Sequence, residues 1–150
     1  MFEASKDVST LNTLIATLLD SIDGYEKSAA DIQNPSLADR FNARARERQS
    51  AVTKLQVAVA SAGGNPEEHG TLLAGAHRAF LNLKEAVTGR DEKAIVAEIE
   101  RGEDYLKSKF NAALDDGDLS PTARAAVQEA WTSVRAGHDE MSALKHSMGG

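Results

Sequence analysis

Four long stretches of this chain carry apolar residues at the three-and-four spacing of an α-helix, and proline or glycine marks the gaps between them. The first seam is heptad-like: Leu11, Ile15, Leu18, Ile22, Tyr25, Ala29 and Ile32. A second runs through Leu37, Phe41, Ala51, Val52, Leu55, Val59 and Ala62. Further on come Ile95, Val96, Ile99, Leu106, Phe110 and Leu114, then Ala123, Val127, Ala130, Trp131, Val134 and Met141. Asn34-Pro35 and Ser120-Pro121 each place a capping side chain before a proline at the first helical position. Gly63-Gly64, Gly89 and Gly117 stand where helices stop. These marks predict helical segments over 9–33, 35–62, 71–88, 91–116 and 120–147. No stretch alternates apolar and polar residues beside turn signals, so the chain reads as all-α.

A helix of about 25 residues is about 37 Å long. Four of them, each with one apolar stripe, pack most simply as a four-helix bundle. At 150 residues the chain suits one domain. At this size about two-thirds of the unfolded surface can be buried, enough for a core without staples. The expected organisation is a bundle over 9–147, with 1–8 and 148–150 disordered. The absence of cysteine removes disulfides, thiolate metal sites and cysteine nucleophiles together. A net charge of −6 without a basic block argues against nucleic acid and anionic membrane as partners. No run of apolar residues is long enough to span a bilayer, and the first residues do not read as a signal peptide. A soluble, cytoplasmic protein is expected.

Topology turns on the connections. The joins at Asn34 and around Gly117–Ser120 are tight, which makes those helix pairs antiparallel neighbours. Residues 63–90 form a long link with an amphipathic stretch of its own: Leu72, Leu73, Ala76, Phe80, Leu83 and Val87. A link of this length can run the whole bundle, so the second and third long helices would lie parallel, as in ferritin-like folds with one crossover. The stripe on the link has to cover either the side of the bundle or a second subunit, so a homodimer through this short helix is expected.

Several strings carry a resemblance to a known family: Leu-Asn-Thr-Leu-Ile at 11–15, Asp-Gly-Tyr-Glu at 23–26, Gly-Gly-Asn-Pro-Glu-Glu at 63–68, the stretch from Gly75 to Gly89, and Glu-Arg-Gly-Glu-Asp at 100–104. On these the chain resembles the PA2169-type four-helix-bundle family (DUF2383-like), over nearly all of 8–147. The resemblance implies a ferritin-like fold and a bacterial setting, loosely associated with stress or envelope physiology. It implies no activity.

Polar side chains also fall on the apolar stripes. On a helical wheel Arg48 and Arg44 lie about 20° to either side of Leu55, and Glu47 near the edge. Glu103 lies about 20° from Phe110, Glu100 further out, and His138 about 20° from Val127. Tyr25 is central on the first stripe, with Glu26 at its margin. If the long link is a crossover, all these groups come to similar heights in the bundle.

Two readings follow. One is an ion-pair network of Tyr25, Arg44, Arg48, Glu103 and His138, in which an arginine forks onto Glu103 and the remaining groups satisfy what is left over. The alternative is a ferritin-like metal site holding iron, manganese or zinc through Glu26, Glu100, Glu103 and His138. The chain lacks the paired Glu-x-x-His motifs of such sites, and guanidinium groups stand where ligands would be. The network is therefore the preferred reading, with no cofactor and no catalytic residue assigned. His69, His77 and His146 share no metal-ligand spacing. Asp115-Asp116-Gly117-Asp118 lacks the closing glutamate of a calcium loop, and Trp131 reads as a core anchor. The functional expectation is a non-enzymatic protein acting through self-association or partner binding.

Overall fold

The apolar seams do become helices. The computed structural model describes residues 2–68 and 92–148, and among these it is all-helical. The helices are α1 (Phe2–Asp31), α2 (Pro35–Ser61), α3 (Glu92–Asp115) and α4 (Pro121–Ser147). Together they form a four-helix bundle. The expected helix at 71–88, with Leu72, Leu73, Ala76, Phe80, Leu83 and Val87, lies outside the described residues, as do His69 and His77.

The local signals act as their chemistry requires. The Asn34 side chain accepts from the backbone N–H groups of Ser36 and Leu37, at 3.0 and 3.3 Å, ahead of Pro35. Ser120 accepts from Ala123 N at 3.2 Å ahead of Pro121. Both satisfy donors that a helix start leaves open. At the end of α2, Gly63 takes a left-handed φ of 86°; its N–H donates to Ala60 O and that of Gly64 to Val59 O, both at 3.0 Å. This is the Schellman arrangement, which a side chain at Gly63 would strain. Gly64 has a different reason to be glycine. A Cβ there would come within 2.7 Å of both methyl groups of Val8, so its absence lets α1 close over the end of α2.

The first helix reaches further back along the chain than its apolar seam suggests. Residues 1–8 read as disordered, yet α1 begins at Phe2. Polar contacts to the α3–α4 corner hold this first part of the helix. Asp7, only 5% exposed, accepts from Ser120 N at 3.0 Å, and the Lys6 ammonium donates to Asp118 at 2.7 Å. At the same corner the Arg124 guanidinium donates to Leu114 O, and to Asp116 O at 2.6 Å, closing the open carbonyls of α3.

The helix ends establish direction. The start of α1 meets the loop after α2, with Asn12 Nδ2 donating to Asn65 O at 3.0 Å and Glu67 N donating back to Asn12 Oδ1 at 2.8 Å. It also meets the loop after α3 through Lys6 and Asp7. Hence α1 is antiparallel to both α2 and α3, and α2 and α3 run the same way. Each of α1 and α4 lies beside both α2 and α3, whereas the backbones of α2 and α3 face one another across the diagonal without touching. The core follows the predicted stripes: Leu11, Ile15, Leu18, Phe41, Leu55, Ile95, Leu106, Phe110, Val127 and Met141 are all buried. Trp131 is partly buried and stacks on Phe110, with ring centroids 6.1 Å apart.

Candidate functional site

A charged pair lies at the centre of this apolar core. Arg48 is fully buried and Glu103 is 1% exposed. The two come from the diagonal helices α2 and α3, whose main chains are too far apart for short side chains to meet. An arginine and a glutamate are long enough to span that gap. Their join is forked: Arg48 Nη1 donates to Glu103 Oε1 at 2.8 Å, and Nη2 donates to Oε2. This is the planar, two-bond match that a guanidinium makes with a carboxylate and an ammonium cannot.

The other two helices complete the arrangement. From α1, the Tyr25 hydroxyl donates to Glu103 Oε1 at 3.0 Å, and Ser21 Oγ accepts from Arg48 Nη1 at 2.6 Å. The Tyr25 ring also lies under the cation, 5.7 Å from its centroid to Arg48 Cζ, and leans on Phe41 at 6.0 Å. From α4, Val134 O approaches Arg48 Nη2 at 3.5 Å. Thus all four helices touch one ion pair at one level. Of its polar atoms, Arg48 Nε has no hydrogen-bond partner.

Gly137 makes room for it. A Cβ there would overlap Arg48 Nη2 and come within 3.0 Å of Arg44 Cδ and 3.2 Å of Glu103 Oε2. A glycine inside a helix costs about 1 kcal/mol relative to alanine. Here it lets the guanidinium lie against the backbone of α4.

Electrostatics follow from this enclosure. Burial, and then the neighbouring Glu103 charge, push the Tyr25 phenol well above its ordinary range. Burial opposes the Arg48 charge, but Glu103 and Tyr25 outweigh it and hold the guanidinium above its usual value. The pair is a neutral unit with a protonated phenol attached. Taking both charges out of water costs several kcal/mol per ion, and the fork and its extra donors offset this.

The remaining anticipated residues are placed elsewhere. Arg44 lies one turn from the centre, its guanidinium donating to Glu47 Oε2 at 2.7 Å and to Glu140 Oε1 at 3.0 and 3.2 Å. It flanks the central pair and pairs with two other acids, Glu47 and Glu140. His138 is at the margin, with Nε2 2.6 Å from Asp104 Oδ1 and Nδ1 3.4 Å from Asp139 Oδ1. The buried face of α4 runs through Ala123, Val127, Ala130, Val134, Gly137 and Met141. Averaging these positions puts the face about 60° from His138, so the imidazole belongs to the rim. Glu26 is exposed, and Glu100 pairs with Lys145 at 3.4 Å. The four residues considered as metal ligands thus have separate surroundings, with Glu103 engaged by Arg48. Among the described residues no group of three or more His, Asp or Glu side chains is arranged to hold a metal ion.

Ser21 and Gly137 went unremarked in the sequence. Ser21 has no apolar signature, but Gly137 carried one usable signal, an isolated glycine in the middle of an otherwise good helix.

The stretch carrying most of this site matches a known family. A family model for a domain of unknown function, DUF2383, covers residues 6–116. The chain belongs to the DUF2383 family. The match takes in α1 from Lys6 onward, α2 and α3, and therefore Ser21, Tyr25, Arg48 and Glu103 of the central arrangement. It ends before α4, which supplies Val134 and Gly137. No curated protein matches the chain. No helix among the described residues is long and apolar enough to cross a membrane.

Proposed function

We propose that this DUF2383 protein is a non-enzymatic helical bundle that works from its outer surface, by associating with a second copy or with another protein. The supporting observation is the central ion pair. Both oxygens of Glu103, and both terminal nitrogens of Arg48, are engaged within the protein. The interior level where the helices bring polar groups together is occupied by protein, which leaves the surface as the place of action. In this reading the Arg48–Glu103 pair sets the register of the four helices, the best-attested use of a buried ion pair.

The proposal extends to the ferritin-like class, the PA2169-type branch of the family, a cytoplasmic location and a stress-related role. The parallel course of α2 and α3 supports the ferritin-like part, since one long crossover is the hallmark of that topology. The sequence stripe Leu72, Leu73, Ala76, Phe80, Leu83 and Val87 is the surface assigned to self-association. Sedimentation of the full chain at high micromolar concentration tests this. A dimer that Phe80→Asp dissociates, with helicity retained, is the expected result, and a clean monomer overturns self-association.

The same parallel topology favours one second reading, a metalloprotein that binds iron, manganese or zinc through Glu26, Glu100, Glu103 and His138 once these leave the separate pairings described above. Elemental analysis of protein purified without chelator, followed by iron titration, decides it. Stoichiometric metal that is lost on Glu103→Gln would replace the first reading.

A further inference from the structure

We draw no further inference here: the strongest candidate, the open groove of about 260 Å³ between α2 and α4 lined by Asp39, Arg40, Arg44, Glu47 and Glu140, carries nothing because its inward-facing Arg44 is already paired with Glu47 and Glu140 and nothing in the structure shows what ligand the groove would take.

Discussion

Arg48→Leu is expected to destabilise the bundle by about 3–5 kcal/mol, the usual cost of removing one member of a buried ion pair. The magnitude follows from the geometry. Arg48 and Glu103 are 0% and 1% exposed, so the abandoned carboxylate has no route to water. At an effective dielectric of about 20, opposite charges about 4 Å apart attract by about 4 kcal/mol, and this is what the substitution removes. The Tyr25 donor is left as partial compensation. For a chain of this length such a loss lowers the melting temperature by about 10–16 °C. Urea unfolding followed by circular dichroism measures it directly, with an unchanged slope showing that stability and not compactness has altered. The companion variant Arg48→Met/Glu103→Leu removes both charges and keeps the volume apolar. It is expected to recover most of the loss or to exceed the parent, since buried pairs rarely outperform good apolar packing. A single variant within about 0.5 kcal/mol of the parent would refute the reasoning, because surface substitutions behave that way. A double variant as damaged as the single one would show that the cost came from packing and not from an unpaired charge.

Three further outcomes follow from the core and from the α3–α4 corner. Gly137→Ala should destabilise by about 1–3 kcal/mol through overlap with the guanidinium, although alanine is the better helix former. With Arg48→Leu already present, the same change should become neutral or stabilising in urea unfolding. Tyr25→Phe should cost about 1–3 kcal/mol at neutral pH by removing a donor from buried Glu103. Because the Tyr25 phenol is raised above its unfolded value of 10.0, its contribution is complete below that pH and is lost as pH climbs toward the higher folded value. Alkaline titration of stability should therefore fall away more steeply for the parent than for Tyr25→Phe, and parallel curves would contradict it. Asp7→Ala should cost about 1–3 kcal/mol by leaving Ser120 N without its acceptor, and hydrogen exchange at the α3–α4 corner should rise with it.

The central site was legible in part, and its legible part has a simple basis. Arg48 falls within about 10° of the middle of the buried face of α2, so the wheel alone demanded a partner for it. Glu103 and Tyr25 were readable in the same way. Arg44 and His138 were misplaced because each falls about 45–60° from the true centre of its face, where a wheel does not separate core from rim. His138 lies close to Val127 on the wheel, but the position that faces the guanidinium is its neighbour Gly137, whose missing side chain leaves the room. Ser21, a small polar residue whose hydroxyl accepts a hydrogen bond from another helix, left no pattern to read.

By itself, the order of residues determined where α2 and α4 start, where α2 stops, and which side of each helix is apolar. Caps such as Asn34 and Ser120, the turn at Gly63 and the spacing of leucine, isoleucine and valine act within one or two turns of backbone. Local chemistry is enough for them. Tertiary structure alone decided that α2 and α3 lie across a diagonal, and hence that Arg48 meets Glu103 while Arg44 meets Glu140. It also decided that the first turns of α1 are held, since Asp7 finds its partner more than a hundred residues away. Pairing of this kind depends on how four stripes are wrapped around one another, and that is a property of the assembled bundle and of no single segment.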